Sequence, residues 1–104
     1  MDLGISGQTA LVMSSTGGLG FGCAAALAAE GVRVVINGRD AERGRAAQAR
    51  LGSDALFVQA DVGRADDRER LFREARAHLG TVSILVTNAP GPRSGPSADM
   101  SSAQ

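Results

Sequence analysis

Short apolar or β-branched runs alternate along this chain with longer segments whose apolar residues recur at helical spacing. That alternation is the pattern of a parallel sheet with crossover helices. The first strand is Thr9-Ala-Leu-Val-Met13; a glycine-rich turn leads into a helix over Leu19 to Glu30, whose alanines favour that state, and Gly31 stops it as a C-terminal cap. Val32-Arg-Val-Val-Ile36 predicts a second strand buried on both faces, with Asn37-Gly38-Arg39 as the turn after it. Asp40 is placed to cap a helix over Ala41 to Leu51, where Glu42 complements the helix dipole, and Gly52 ends it. Ala55-Leu-Phe-Val-Gln59 reads as strand three. A charged helix over Ala65 to Leu79 follows, with Leu71, Phe72, Ala75 and Leu79 on one face and Gly80 closing it. Val82-Ser-Ile-Leu-Val86 is strand four.

Right-handed crossovers through these elements predict an α/β, doubly wound parallel half-sheet in the order 3-2-1-4, with its topological switch point between strands one and four. Ligands bind at such points. From Gly91 onward Pro92, Gly95, Pro96 and small polar residues predict a loop, so the chain divides into a half-domain over residues 1–90 and a tail over 91–104.

A length of 104 residues fits one domain or part of one, and 43% hydrophobic with 21% charged residues is an ordinary globular composition. Eleven basic residues balance eleven acidic ones, which predicts neither a nucleic-acid nor a membrane partner; any anion site has to be local. The apolar run Ala10 to Met13 is too short for a signal-peptide core or a membrane span, so a cytoplasmic location is the default expectation. Cys23 is the only cysteine, which excludes an internal disulfide and any multi-cysteine metal site.

The candidate chemistry lies in Ser14-Ser15-Thr16-Gly17-Gly18-Leu19-Gly20-Phe21-Gly22, which joins a strand directly to a helix. A helix start offers unpaired N–H groups and a positive dipole, and glycines let a pyrophosphate approach without meeting a Cβ. No Lys-Ser/Thr pair follows, so this is not a nucleoside-triphosphate loop. A structural tight turn is the plainer alternative. About 20 residues beyond such a turn an acidic side chain would bind the ribose hydroxyls of NAD(H) and repel a 2′-phosphate. Gly38 stands there, followed by Arg39, whose guanidinium suits the 2′-phosphate of NADP(H) and can stack on adenine; Ser15 and Asn37 are candidates for further hydrogen bonds. The alternative for Arg39 is a solvated surface charge.

The segment Ala10-Leu-Val-Met-Ser-Ser-Thr-Gly-Gly-Leu-Gly20 resembles the Thr-Gly-x-x-x-Gly-Ile/Leu-Gly pattern of the short-chain dehydrogenase/reductase family, with Gly18, Leu19 and Gly20 in register. Met13 and Ser14 replace the usual Thr and Gly, so a less tight turn is expected. Asp61-Val62 matches the family's Asp-Val pair, which the resemblance places at the adenine edge; Asp61 as the cap of a turn beside Gly63 is the alternative. Asn88-Ala89-Pro90-Gly91 resembles the family's Asn-Asn-Ala-Gly segment, with Thr87 in place of the first Asn and Pro90 removing a backbone donor.

The resemblance implies a Rossmann-type fold, a preference for NADP(H) over NAD(H), and a parent oxidoreductase that moves hydride between NADP(H) and a carbonyl or alcohol substrate. It also implies a homo-oligomer. Of the family's Ser, Tyr, Lys and helix-borne Asn, none is available: the chain has no tyrosine and reaches Ser101-Ser102-Ala103-Gln104 about where that helix would begin. The chain is therefore expected to be a fragment, inactive alone, or to associate with a C-terminal segment that covers the edge Ile84-Leu85-Val86. A non-catalytic nucleotide-binding or interaction module is the competing class. Cys23 is read as a small buried hydrophobe, His78 as a helix-end cation, and Arg64 to Arg76 as a solvated face with local ion pairs.

Overall fold

The computed structural model describes residues 7–87. Thr9–Val12 form β1, Gly18–Ala29 α1, Arg33–Gly38 β2, Ala41–Leu51 α2, Leu56–Gln59 β3, Ala65–Leu79 α3 and Ile84–Val86 β4. All pairings are parallel and the strand order is β3-β2-β1-β4, as the crossover argument requires. Residues 88–104, including Asn88, Ala89, Pro90, Gly91 and the tail, lie outside the described residues.

Successive side chains of a strand point to opposite faces, and both faces are covered here. Ala10, Val12, Val34 and Ile36 pack with Ala24 of α1 and Ala47 of α2 on one face. Leu11, Met13, Val35 and Val58 pack with Leu71, Ala75 and Leu79 of α3 on the other. The sheet is thus wound on both sides around β1 and β2, whose interior residues are fully buried.

α2 sits close to the sheet through a missing side chain: a β-carbon at Gly44 would lie 2.0 Å from Phe57 Cζ. Its start is capped as predicted, with Asp40 Oδ1 accepting from Glu42 N at 2.9 Å and Arg43 N at 3.1 Å. Gly31 follows the C-cap of α1 in the left-handed region, with φ 86°.

The largest departure from the sequence reading is at the end of β2. Asn37-Gly38 was expected to turn, yet Asn37 pairs with Val58 and Gly38 with Gln59, extending the strand. The turn propensity of Asn-Gly is local and weak, and the pairing with β3 overrides it. β3 and β4 are shorter than their apolar runs: Ala55, Val82 and Ser83 lie outside the strands. Among the described residues no helix is long and apolar enough to cross a membrane.

Candidate functional site

The connection from β1 to α1 lies at the carboxyl end of the parallel strands, beside the point where the chain leaves β1 in one direction and β4 flanks it in the other. Met13 N donates to Val86 O at 3.0 Å, tying the start of this connection to β4. Ser14 then takes a left-handed conformation, φ 53°, where the family pattern has glycine. The turn is therefore made despite the substitution. Ser14 N donates to Asn37 Oδ1 at 3.1 Å, a contact that holds the residue in this otherwise sparsely populated region.

Asn37 organises the loop. Its Nδ2 donates to Val58 O and to Ala60 O, each at 3.1 Å, while its backbone N donates to Ser15 Oγ at 3.0 Å and its backbone O accepts from Ser15 N at 2.7 Å. Ser15 Oγ in turn donates to Val12 O at 2.6 Å. Both side chains are buried, 0% exposed for Ser15 and 1% for Asn37. Ser15 and Asn37, the candidates for further hydrogen bonds, thus spend these polar atoms on protein partners and shape the loop.

Thr16 and Gly17 come next and make two close approaches. A β-carbon at Gly38 would lie 2.5 Å from Thr16 Cγ2, and one at Gly17 would lie 2.8 Å from Arg43 Nη2. The loop is thus clasped between the end of β2 and the first turn of α2. Neither approach is announced by a motif; only the folded chain brings these residues together.

Gly17 is the N-cap of α1 in extended conformation, with no side-chain cap bond and no acidic residue in the first turn. α2 has Asp40 and Glu42, and α3 has Asp66 and Asp67, at the corresponding places. The first N–H groups of any helix lack an intrahelical acceptor, so those of Gly18, Leu19 and Gly20 remain a positive, anion-accepting end. Gly18 has φ 59° and Leu19 is 88% exposed beside it, while Gly20 is buried against the sheet.

Arg39 is exposed and its backbone O accepts from Gln59 Nε2 at 3.0 Å. Asp61 forms the turn that was its alternative reading: Oδ1 accepts from Gly63 N at 2.9 Å, and Asp61 N donates to Asp67 Oδ2 at 2.8 Å. Val62 O accepts from Arg68 Nη1 at 2.7 Å. These residues follow β3, on the same end of the sheet as the glycine turn. Elsewhere, Cys23 is partly buried against the α1 and α2 face. Arg70 pairs with Glu74 at 3.2 Å and Asp67 at 3.9 Å on α3.

A doubly wound parallel sheet of Rossmann type, with an uncapped glycine-rich helix start at its switch point, defines the class of this domain. Residues 8–104 match the family profile described as short chain dehydrogenase. The chain belongs to that family. It is 41% identical over 88 residues to D-beta-hydroxybutyrate dehydrogenase of Cupriavidus necator, covering 82% of this chain and 34% of the relative. It is 40% identical over 88 residues to dehydrogenase/reductase SDR family member 4 of Homo sapiens, covering 82% and 32% respectively. Among solved structures, 3-ketoacyl-(acyl-carrier-protein) reductase from Brucella melitensis, complexed with NADH, superposes with a TM-score of 0.79 at 34% identity, covering 82% of this chain and 35% of that one. The chain thus spans about a third of the length of these relatives.

Proposed function

We propose that this chain is the NADP(H)-binding part of an oxidoreductase that transfers hydride between NADP(H) and a carbonyl or alcohol substrate. The observation that carries the cofactor choice is the end of β2. Position 38, where an acidic side chain would bind ribose hydroxyls, is a glycine, and a β-carbon there would meet Thr16 Cγ2 at 2.5 Å, so a side chain fits only if Thr16 shifts. The next residue is an exposed arginine, which suits a 2′-phosphate.

In this reading the N–H groups at the start of α1 hold the pyrophosphate, with Thr16, Gly18, Leu19 and Gly20 lining it. Ser14, Ser15 and Asn37 keep the loop in shape. Arg39 takes the 2′-phosphate and Asp61 and Val62 serve the adenine, while the family resemblance alone assigns Asn88, Ala89, Pro90 and Gly91 to the far ribose. When bound, the nicotinamide supplies or accepts the hydride. The chain has no tyrosine, so the family's Ser, Tyr and Lys proton-transfer set is not contained in it. These 104 residues are proposed to bind cofactor without turnover, with a homo-oligomer or a C-terminal segment completing the sheet beyond β4.

Titration of NADPH and NADH, followed by cofactor fluorescence since the chain has no Trp, tests the proposal. Tighter NADPH binding is expected. Tighter NADH binding overturns the cofactor choice, and binding of neither supports the interaction-module alternative.

A further inference from the structure

Arg43 belongs to α2, yet its guanidinium rests on a different element, 2.8 Å from where a β-carbon of Gly17 would be. Gly17 is the N-cap of α1, so a full positive charge is held at the positive end of a helix dipole. Arg43 itself stands in the first turn of α2, again the end where a cation is disfavoured. Among the described residues the ion pairs are those of Arg70 with Asp67 and Glu74, and Arg43 has no carboxylate partner. The nearest acid in sequence before Glu42, Asp40, spends its Oδ1 on the backbone N–H groups of Glu42 and Arg43.

The start of α1 and the Arg43 guanidinium therefore meet with no carboxylate paired to either, whereas the start of α2 has Asp40 and Glu42. Arg39, four positions earlier and exposed, follows β2 at the same end of the parallel sheet as the glycine turn. We infer that Arg43 is a second recognition residue for the 2′-phosphate of NADP(H), acting with Arg39 and admitted to the site by the missing side chain of Gly17. The inference rests on the cofactor proposed above. It explains a placement that stability alone does not, because turning the exposed guanidinium away from Gly17 would relieve repulsion from the α1 terminus.

The test is Arg43→Gln and Arg43→Lys in the whole chain, titrated with NADPH and NADH, with the ligand-free melting temperature measured in parallel. Arg43→Gln is expected to weaken NADPH about tenfold, the loss of one charge-assisted contact, while NADH changes by less than about twofold. Arg43→Lys should recover part of the NADPH affinity. The ligand-free protein should be no less stable than wild type. An equal loss for both cofactors assigns Arg43 to the pyrophosphate or to folding and overturns the inference. So does an unchanged preference in a wild-type chain that favours NADPH. A wild-type chain that favours NADH overturns instead the cofactor reading on which it rests.

Discussion

Thr16 fills the space that a side chain at Gly38 would need: a β-carbon at position 38 would lie 2.5 Å from Thr16 Cγ2 and 3.0 Å from Thr16 Oγ1. The two residues are distant in sequence, and together they close the place where an acidic side chain would select NAD(H). Gly38→Asp alone should therefore destabilise the fold by about 1–3 kcal/mol, the usual cost of overpacking, as read by urea unfolding. With Thr16→Ala added, most of that loss should be recovered, and the double variant should bind NADH in preference to NADPH. A Gly38→Asp protein as stable as wild type would show that Thr16 moves aside freely.

Asn37 and Ser14 form a second linked pair. Asn37→Ala leaves Val58 O, Ala60 O and Ser14 N without their side-chain partner, in a place where Asn37 is 1% exposed. A loss of roughly 3 kcal/mol is expected, since each unsatisfied buried group costs about 1–3 kcal/mol. Thermal or urea unfolding measures it, and a change below about 1 kcal/mol would contradict the bracing role.

Ser14→Gly should act in the opposite direction. With φ 53° at this position, glycine removes a left-handed penalty of about 1–2 kcal/mol but adds chain entropy, for a net gain of about 0.5–1 kcal/mol. Combined with Asn37→Ala, it should lessen the damage because the turn then no longer depends on the Ser14 N to Asn37 Oδ1 contact. Strict additivity in a double-mutant cycle would argue against that coupling.

Gly44→Ala tests the seat of α2 on β3. Its β-carbon would stand 2.0 Å from Phe57 Cζ and 2.2 Å from Cε1 and Cε2, so the ring has to leave its position. A loss of about 1–3 kcal/mol is expected, with partial rescue by Phe57→Leu. Failure of the smaller residue to rescue would place the strain elsewhere.

Asp40→Ala removes the α2 cap, whose Oδ1 bonds Glu42 N and Arg43 N. The expected cost is about 1 kcal/mol, with a concurrent loosening of Arg43 that weakens NADPH more than NADH. Unaltered unfolding would mean that Glu42 alone suffices at this terminus.

Much of the fold was legible because its signals are local. α2 and α3 begin and end where Asp40, Gly52, Ala65 and Gly80 predict, since caps and helical periodicity act over a few residues. The strand order followed from crossover handedness and the alternation of elements. The bounds of β2 were not legible: Asn37-Gly38 carries a turn signal, and only pairing with Val58 and Gln59 makes it strand.

The same division runs through the candidate site. The sequence by itself determined that a glycine-rich helix start follows β1, that a glycine followed by an arginine stands where an acid would near the end of β2, and that the chain has the short-chain dehydrogenase pattern, because these depend on residue type and spacing. Only the tertiary structure decided what each side chain does. It turned Ser15 and Asn37 inward, gave Ser14 the conformation of the glycine it replaces, set Thr16 over Gly38, and laid Arg43 across Gly17. Those contacts join β1, β2, β3 and α2 through parallel pairing and close backbone approach, and such long-range proximity leaves no periodic or local trace in the residues that make it.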